Sequence, residues 1–61
     1  MKAIYVSIWD DGVEISSNCE FDIKTNTVSD IDSIDVQGID ILMEEYIELK
    51  DGTKITDFIV E

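Results

Sequence analysis

The first residues of the chain alternate between two faces in the manner of a β-strand. The alternating segment runs from Lys2 to Trp9 and is rich in β-branched and aromatic residues, which pack well on a pleated surface. Successive side chains of a strand point to opposite faces, so the segment divides into two sets: Ile4, Val6 and Ile8 against Tyr5, Ser7 and Trp9. The pattern predicts a strand with the isoleucine and valine face directed toward the core.

Two Asp-Gly pairs mark the strongest predicted chain reversals. Asp11-Gly12 and Asp51-Gly52 each stand between alternating segments. Asp-Gly is favoured in tight hairpins because type I′ turns require positive φ angles. The sequence therefore predicts a β-hairpin at each of these two positions.

The strand that follows the first hairpin is predicted to run from Val13 to Ile23, with Ile15 inward and a bulge near Ser17. Asn26 is the predicted bend after it, because asparagine tolerates the left-handed backbone conformation. A third strand opens at Val28.

The middle of the chain gives an ambiguous pattern. Val28 and Ile31 are out of phase with a simple alternation, and so are Ile31 and Ile34. A bulge would explain one of these slips, and a single helical turn would explain both. The segment from Gly38 to Glu45 is too short for its periodicity to separate a strand from a short helix. Both interpretations stay open for this segment.

The last third of the chain returns to alternation. Ile47 and Leu49 are the inward residues of a predicted strand that leads into the second hairpin. A final strand follows from Thr53 to Val60, with Ile55 inward and a kink at Asp57.

These elements predict one mainly β domain over residues 1–61, an antiparallel meander of four to five strands with one short helix near Gly38 to Glu45 as an option. A chain of this length buries only about 60% of the surface that its unfolded form exposes. The sheet is expected either to curl into a half-barrel or to pair with a second copy in a homodimer. The half-barrel would enclose Ile4, Val6, Ile8, Val13, Ile15, Phe21, Ile47, Leu49 and Ile55.

The charge balance changes this picture most. Fifteen acidic residues and four lysines give a formal net charge of −11 in 61 residues, and no basic residue lies between Lys24 and Lys50. Such a surface repels nucleic acid and anionic membranes. It attracts basic protein surfaces, including grooves that hold nucleic acid.

The sequence contains no pattern that carries catalysis or a cofactor. A calcium loop starting at Asp30 would need an oxygen ligand at Ile34 and a glycine at Asp35, and both positions fail. Cys19 is the only cysteine and the chain has no histidine, which excludes the favoured zinc sets and a histidine-activated thiol. We therefore expect no enzymatic activity, no metal and no cofactor. A weak calcium or magnesium site assembled across strands is the remaining alternative.

Acidic residues in the middle of the chain are the predicted partner-binding set. They are Asp30, Asp32, Asp35, Asp40, Glu44, Glu45 and Glu48, and the aromatic residues Tyr5 and Trp9 are added as candidate anchors. Alternate residues of a strand lie about 6.6 to 6.8 Å apart, which is similar to the spacing of phosphates along one nucleic-acid strand. Tyrosine and tryptophan are enriched at interface hot spots, although cover for the edge of a small core is the more frequent role.

These features predict a non-enzymatic acidic module that occupies the basic groove of a partner, for example a nucleic-acid-binding enzyme, without binding nucleic acid itself. In size and charge the chain resembles the small acidic DNA-mimic inhibitors that phages and mobile elements deploy against restriction or CRISPR systems. That resemblance is one of composition and carries over no site residue. The alternative is a structural or accessory module whose acidity serves solubility and whose contact is an aromatic face or a sheet edge.

The expected location is the cytoplasm. No apolar run near Met1 has the length of a signal peptide or of a membrane span. An unpaired cysteine is typical of a reducing compartment.

Overall fold

The computed structural model describes residues 1–32 and 41–61, and in this part of the chain it shows one mixed β-sheet. The strands are β1 (Lys2–Trp9), β2 (Glu14–Asp22), β3 (Thr27–Ser29), β4 (Leu42–Glu48), β5 (Lys54–Ile55) and β6 (Ile59–Val60). Their order across the sheet is β5-β4-β1-β2-β3-β6. All neighbouring strands are antiparallel except β3 and β6. The prediction of a small, mainly β fold is confirmed.

Both predicted hairpins form, and each uses its glycine in the same way. Gly12 has a φ of +84° and Gly52 a φ of +91°, a region that glycine adopts without steric penalty. Gly12 N–H donates to the Trp9 carbonyl at 2.9 Å, and Gly52 N–H donates to the Leu49 carbonyl at 3.0 Å. In each turn only the glycine has a positive φ, so the turns are not the type I′ turns that the Asp-Gly pairs suggested.

The aspartate before each glycine closes its turn. Asp11 Oδ1 accepts a hydrogen bond from Val13 N–H at 3.1 Å, and Asp51 Oδ1 accepts one from Thr53 N–H at 2.9 Å. The bond from Thr53 holds the pKa of the Asp51 carboxyl below its ordinary value. These bonds explain why aspartate and glycine occur together at both reversals.

The predicted bend at Asn26 is also confirmed. Asn26 has a φ of +58° and lies between β2 and β3, which pair in antiparallel register. Asp22 Oδ1 accepts a hydrogen bond from Lys24 N–H at 2.9 Å at the start of this turn. The bulge expected in β2 is absent, because β2 pairs with β1 in unbroken register. The register shift lies instead between β1 and β4, after Ile8.

The segment that sequence analysis left open is partly resolved. Leu42–Glu48 is a strand, so the second half of the optional helix from Gly38 to Glu45 is extended. Gly38 and Ile34 lie outside the described residues. Before that gap, Asp30 has a φ of +51°, which accounts for the loss of phase at Ile31. Within residues 1–32 and 41–61, no helix is long and apolar enough to cross a membrane.

The end of the chain departs most from the predicted meander. The expected single strand from Thr53 to Val60 is divided into β5 and β6, and these lie at opposite edges of the sheet. β6 pairs in parallel with β3, with Val60 beside Val28. The predicted kink at Asp57 marks this division. The sheet therefore has six strands in the described residues and is mixed.

The short link between β5 and β6 requires the sheet to curl. A flat sheet of this order would place its outer strands roughly 24 Å apart, at about 4.8 Å per strand. Residues 56–58 connect them, and four extended residue steps span at most about 14 Å. The sheet curls into the predicted half-barrel, and Phe58 packs against the core that the sheet encloses.

The core lies on the inner face of this half-barrel. Its buried cluster consists of Ala3, Tyr5, Cys19, Phe21, Val28 and Ile47. Phe21 and Ile47 were predicted core residues, and Leu49 and Ile55 pack partly buried against the cluster. The predicted phase of β1 was wrong, because Ala3 and Tyr5 face the core.

The partner strands decide the phase of β1. The strand register places Tyr5 beside Ile47 and Ala3 beside Cys19. Because Ile47 and Cys19 face the core, the odd-numbered residues of β1 face the core with them. β1 is apolar on both faces, and its own sequence does not make that choice. Val6 is nevertheless buried on the outer face, at 3% exposure.

Candidate binding surface

The outer face of the sheet combines an apolar stripe with surrounding carboxylates. The outer stripe is Ile4, Val6 and Ile8, which follow one another along the central strand β1. Glu14 of β2 and Glu44 of β4 lie opposite Ile8 on its two sides. Beside Ile4, the register places Asn18 on one side and Glu48 on the other.

A fourth carboxylate joins this face from the segment after β3. Asp32 N–H donates to the Asn18 carbonyl at 2.9 Å, and the Asn18 amide donates to Asp32 Oδ2 at 3.1 Å. We call Glu14, Asp32, Glu44 and Glu48 the carboxylate frame. At about 4.8 Å per strand, the backbones of Glu14 and Glu44 lie roughly 10 Å apart and those of Asp32 and Glu48 roughly 14 Å apart.

Tyr46 and Lys54 complete the β4 side of the outer face. Tyr46 pairs with Val6 across the strands, and the Lys54 ammonium lies 4.8 Å from the centre of the Tyr46 ring. Lys54 also stands opposite Glu48 in the β4–β5 hairpin. Lys2 alternates with Ile4 on β1 and lies on the same face, near Asn18 and Asp32. The outer face therefore remains acidic, with one lysine on the β5 side and one at the end of β1.

The carboxylates are mostly left without a positive partner. Among the described residues, the only ion pair joins the Met1 amino group and Glu20, at 3.4 Å. The lysines are all exposed to solvent. Unpaired like charges on a small domain repel one another and strengthen the negative field around it.

The predicted acidic set does not stay together. Glu44 and Glu48 lie on the outer face with Asp32, whereas Glu45 points to the inner face because neighbouring strand residues alternate. Asp30 is exposed in the segment that follows β3. Asp35 and Asp40 lie outside the described residues.

Tyr5 lies in the core and Trp9 at its border. Tyr5 is 7% exposed, and its hydroxyl donates a hydrogen bond to Glu45 Oε2. Its ring also meets Phe58 edge to face, with centroids 5.9 Å apart. Trp9 is half-buried, and its indole Nε1 is buried with no hydrogen-bond partner in the described part of the chain. Of the two aromatic candidates, Trp9 is the more accessible to a partner.

The phenol of Tyr5 is held in its protonated form. Burial, followed by the hydrogen bond to Glu45, raises the pKa of Tyr5 to about 12. The ordinary value is 10.0. Because the folded-state pKa is the higher one, the stabilisation is fully present below pH 10 and is lost as the pH rises through 12.

Ionisation of Tyr5 should therefore destabilise the fold at alkaline pH. We expect the free energy of unfolding, measured with urea between about pH 8 and pH 12, to fall less in Tyr5→Phe than in the parent. Tyr46→Phe is the matched control, because this ring lies on the outer face and should leave the pH dependence of the parent largely intact. An equal fall in Tyr5→Phe and the parent would contradict this assignment.

Cys19 has the properties of a core residue. It is 4% exposed, and burial, with the nearby charges of Glu20 and Asp32, raises the pKa of its thiol. A raised pKa lowers the fraction of reactive thiolate. Within residues 1–32 and 41–61, no group of three or more metal-binding side chains is placed to hold an ion.

Sequence analysis missed Glu14 and the outer stripe as parts of this surface. The alternation of Glu14 with Ile15 was visible, but the prediction considered only the carboxylates in the charge-rich middle of the chain and not those of β2.

Comparisons of the chain with protein-family models, curated proteins and solved structures give no match.

Proposed function

We propose that this protein is a non-enzymatic acidic module that binds a basic protein surface, of the kind that otherwise holds nucleic acid. The observation that carries the proposal is the carboxylate frame. It presents Glu14, Asp32, Glu44 and Glu48 on one face of a folded sheet, with Lys54 at one margin of that face and Lys2 at the end of β1.

The geometry of the frame supports mimicry of a phosphate backbone. Glu44 and Glu48 are four residues apart on β4, which corresponds to roughly 13 Å, or two alternate-residue steps along a strand. Glu14 and Asp32 extend the negative charge across the neighbouring strands. Nucleic acid likewise presents regularly spaced negative charges on a stiff support, so a basic groove would accept this face as a competitor.

The carboxylates lie on a folded sheet and not on a disordered tail, and this also supports the proposal. A high net charge destabilises a compact state through self-repulsion, and this domain is short enough for its stability to be marginal. Function as a charged ligand would account for keeping the carboxylates fixed on a sheet. Charges carried on a folded sheet also lose less backbone freedom on binding than a disordered segment loses.

The proposal is tested by neutralising the frame. Tagged protein recovers partners from host lysate at low salt, and each partner is then measured for affinity to the parent protein and for competition with duplex DNA or RNA. The frame variant carries Glu14→Gln, Glu44→Gln and Glu48→Gln. Exposed charge pairs contribute about 0.2 to 1 kcal/mol each. At roughly 0.5 kcal/mol for each of the three, this variant should lose about tenfold in affinity.

The matched control removes the same charge elsewhere. Asp51→Asn, Asp57→Asn and Glu61→Gln lie outside the frame, and asparagine at 51 retains the oxygen that closes its turn. We expect the affinity of this control variant to fall by less than about threefold. We also expect binding of the parent protein to weaken as added salt shortens the screening length. Equal losses in the two variants, or binding that ignores both salt and nucleic acid, would overturn the proposal in favour of the accessory module.

A further inference from the structure

Apolar residues gather at the end of the sheet that carries the first hairpin. We call Trp9, Val13, Ile41, Leu42 and Met43 the hairpin-end patch. Trp9 lies opposite Leu42 in the β1–β4 register, and the backbone N–H of Trp9 donates to the Val13 carbonyl at 3.0 Å. The next residue, Asp10, donates its N–H to the Ile41 carbonyl at 2.9 Å.

Four of the five side chains of the patch are largely exposed to solvent. Exposure reaches 64% at Met43, 53% at Ile41, 42% at Leu42 and 38% at Val13. Several exposed large apolar side chains at one end of a sheet mark an interaction surface more often than a solitary one does. Methionine and leucine also adapt their shape easily to a partner.

Trp9 adds an observation of a different kind. Its indole Nε1 is buried and has no hydrogen-bond partner among the described residues. A buried donor without an acceptor is unfavourable, which sets this indole apart from the other buried side chains of the described residues. Tryptophan is also the residue most enriched among interface hot spots.

The charges around the patch identify the kind of occupant. Asp10, Asp11, Glu14 and Glu44 are all exposed beside it. A second copy of this chain is a poor occupant, because a symmetric pair would bring the same carboxylates together. A partner segment with apolar side chains flanked by lysine or arginine meets both requirements.

We propose that the hairpin-end patch anchors apolar side chains of a basic partner segment, while the neighbouring carboxylates hold its lysines or arginines. This inference rests on the proposed function, since it assigns an anchor to the same basic partner. It adds affinity that salt does not screen, because burial of apolar surface is not an interaction between charges. An apolar core surrounded by a polar rim is the usual organisation of a protein interface.

The test uses two peptides of equal charge. One is an amphipathic helical peptide of leucine and lysine, and the other has serine in place of every leucine. Trp9 is the only tryptophan, so its fluorescence reports directly on the patch. We expect the leucine peptide to bind the parent at least tenfold more tightly and to shift the Trp9 emission to shorter wavelength.

Substitutions then locate the contact. Leu42→Ser with Met43→Ser should reduce the affinity for the leucine peptide to that for the serine peptide. Ile23→Ser with Ile59→Ser is the control, because these residues are 59% and 63% exposed at the opposite end of the sheet and should have no effect.

The outcomes separate the two proposals. If both peptides bind the parent equally, or if only the control pair weakens binding, the patch is not an anchor while the acidic module stands. If neither peptide binds at low salt, the anchor is wrong and the attraction to basic partners fails with it.

Discussion

Replacing Phe21 with alanine should remove about half or more of the stability of the fold at 25 °C. Phe21 is 1% exposed and lies within the core cluster. Truncation of a buried phenylalanine typically destabilises a protein by about 3 to 5 kcal/mol. At about 0.05 to 0.15 kcal/mol per residue, the whole domain has a stability of roughly 3 to 9 kcal/mol. One side chain therefore accounts for much of what holds the fold.

Circular dichroism and urea denaturation measure this effect. The Phe21→Ala variant should lose the cooperative transition of the parent or show it only at much lower urea. Ile23→Ala is the matched control, because Ile23 is 59% exposed two residues along the chain and should change stability by about 0.5 kcal/mol or less. A cooperative transition within about 1 kcal/mol of the parent would show that Phe21 does not have this role.

Phe58→Ala should have the next largest effect, a loss of about 2 kcal/mol. Phe58 is partly buried against the core and meets the Tyr5 ring edge to face. It lies in the link that closes the half-barrel between β5 and β6. The expected loss is smaller than for a fully buried phenylalanine, because part of the ring is already in contact with water.

The neighbouring residue provides the comparison for Phe58. Ile59 is 63% exposed although it belongs to β6, so Ile59→Ala should leave the urea midpoint nearly unchanged. The urea midpoint of Phe58→Leu, which retains apolar volume, should lie between those of Ile59→Ala and Phe58→Ala. If Ile59→Ala destabilises the protein as much as Phe58→Ala, the strand β6 rather than the aromatic contact closes the sheet.

The parts of the fold that local chemistry determines could be predicted. Asp-Gly at two positions and the left-handed tendency of Asn26 were sufficient to place all three hairpin turns in the described residues. These features depend on one to three neighbouring residues. Turn residues of this kind act through their own backbone preferences.

The parts that depend on distant strands could not be predicted. The parallel pairing of β6 with β3 involves short segments far apart in sequence, and no local pattern signals it. The prediction of which face of β1 points inward was wrong for a related reason. Both faces of β1 are apolar, so the neighbouring strands β2 and β4 determine which face lies against the core. A shift of one residue exchanges the two faces of a strand.

The candidate site shows the same division. Asp32, Glu44 and Glu48 were predicted partner-binding residues and share the outer face in the structure. Glu45 was grouped with Glu44 because both belong to the acidic middle of the chain. Once β4 is known to be extended, the alternation of a strand sends these two carboxylates to opposite faces, and Glu45 becomes the acceptor for Tyr5.

The link between β5 and β6 also determines how the protein can be divided. Phe58 touches Tyr5 on the first strand, and β6 pairs with β3, so the last residues complete a core that the first residues begin. The local β1–β2 and β4–β5 hairpins each bury only part of that core. A fragment that ends after β4, or one that begins there, would expose the apolar surface that its missing half covers, and neither fragment is a folding unit.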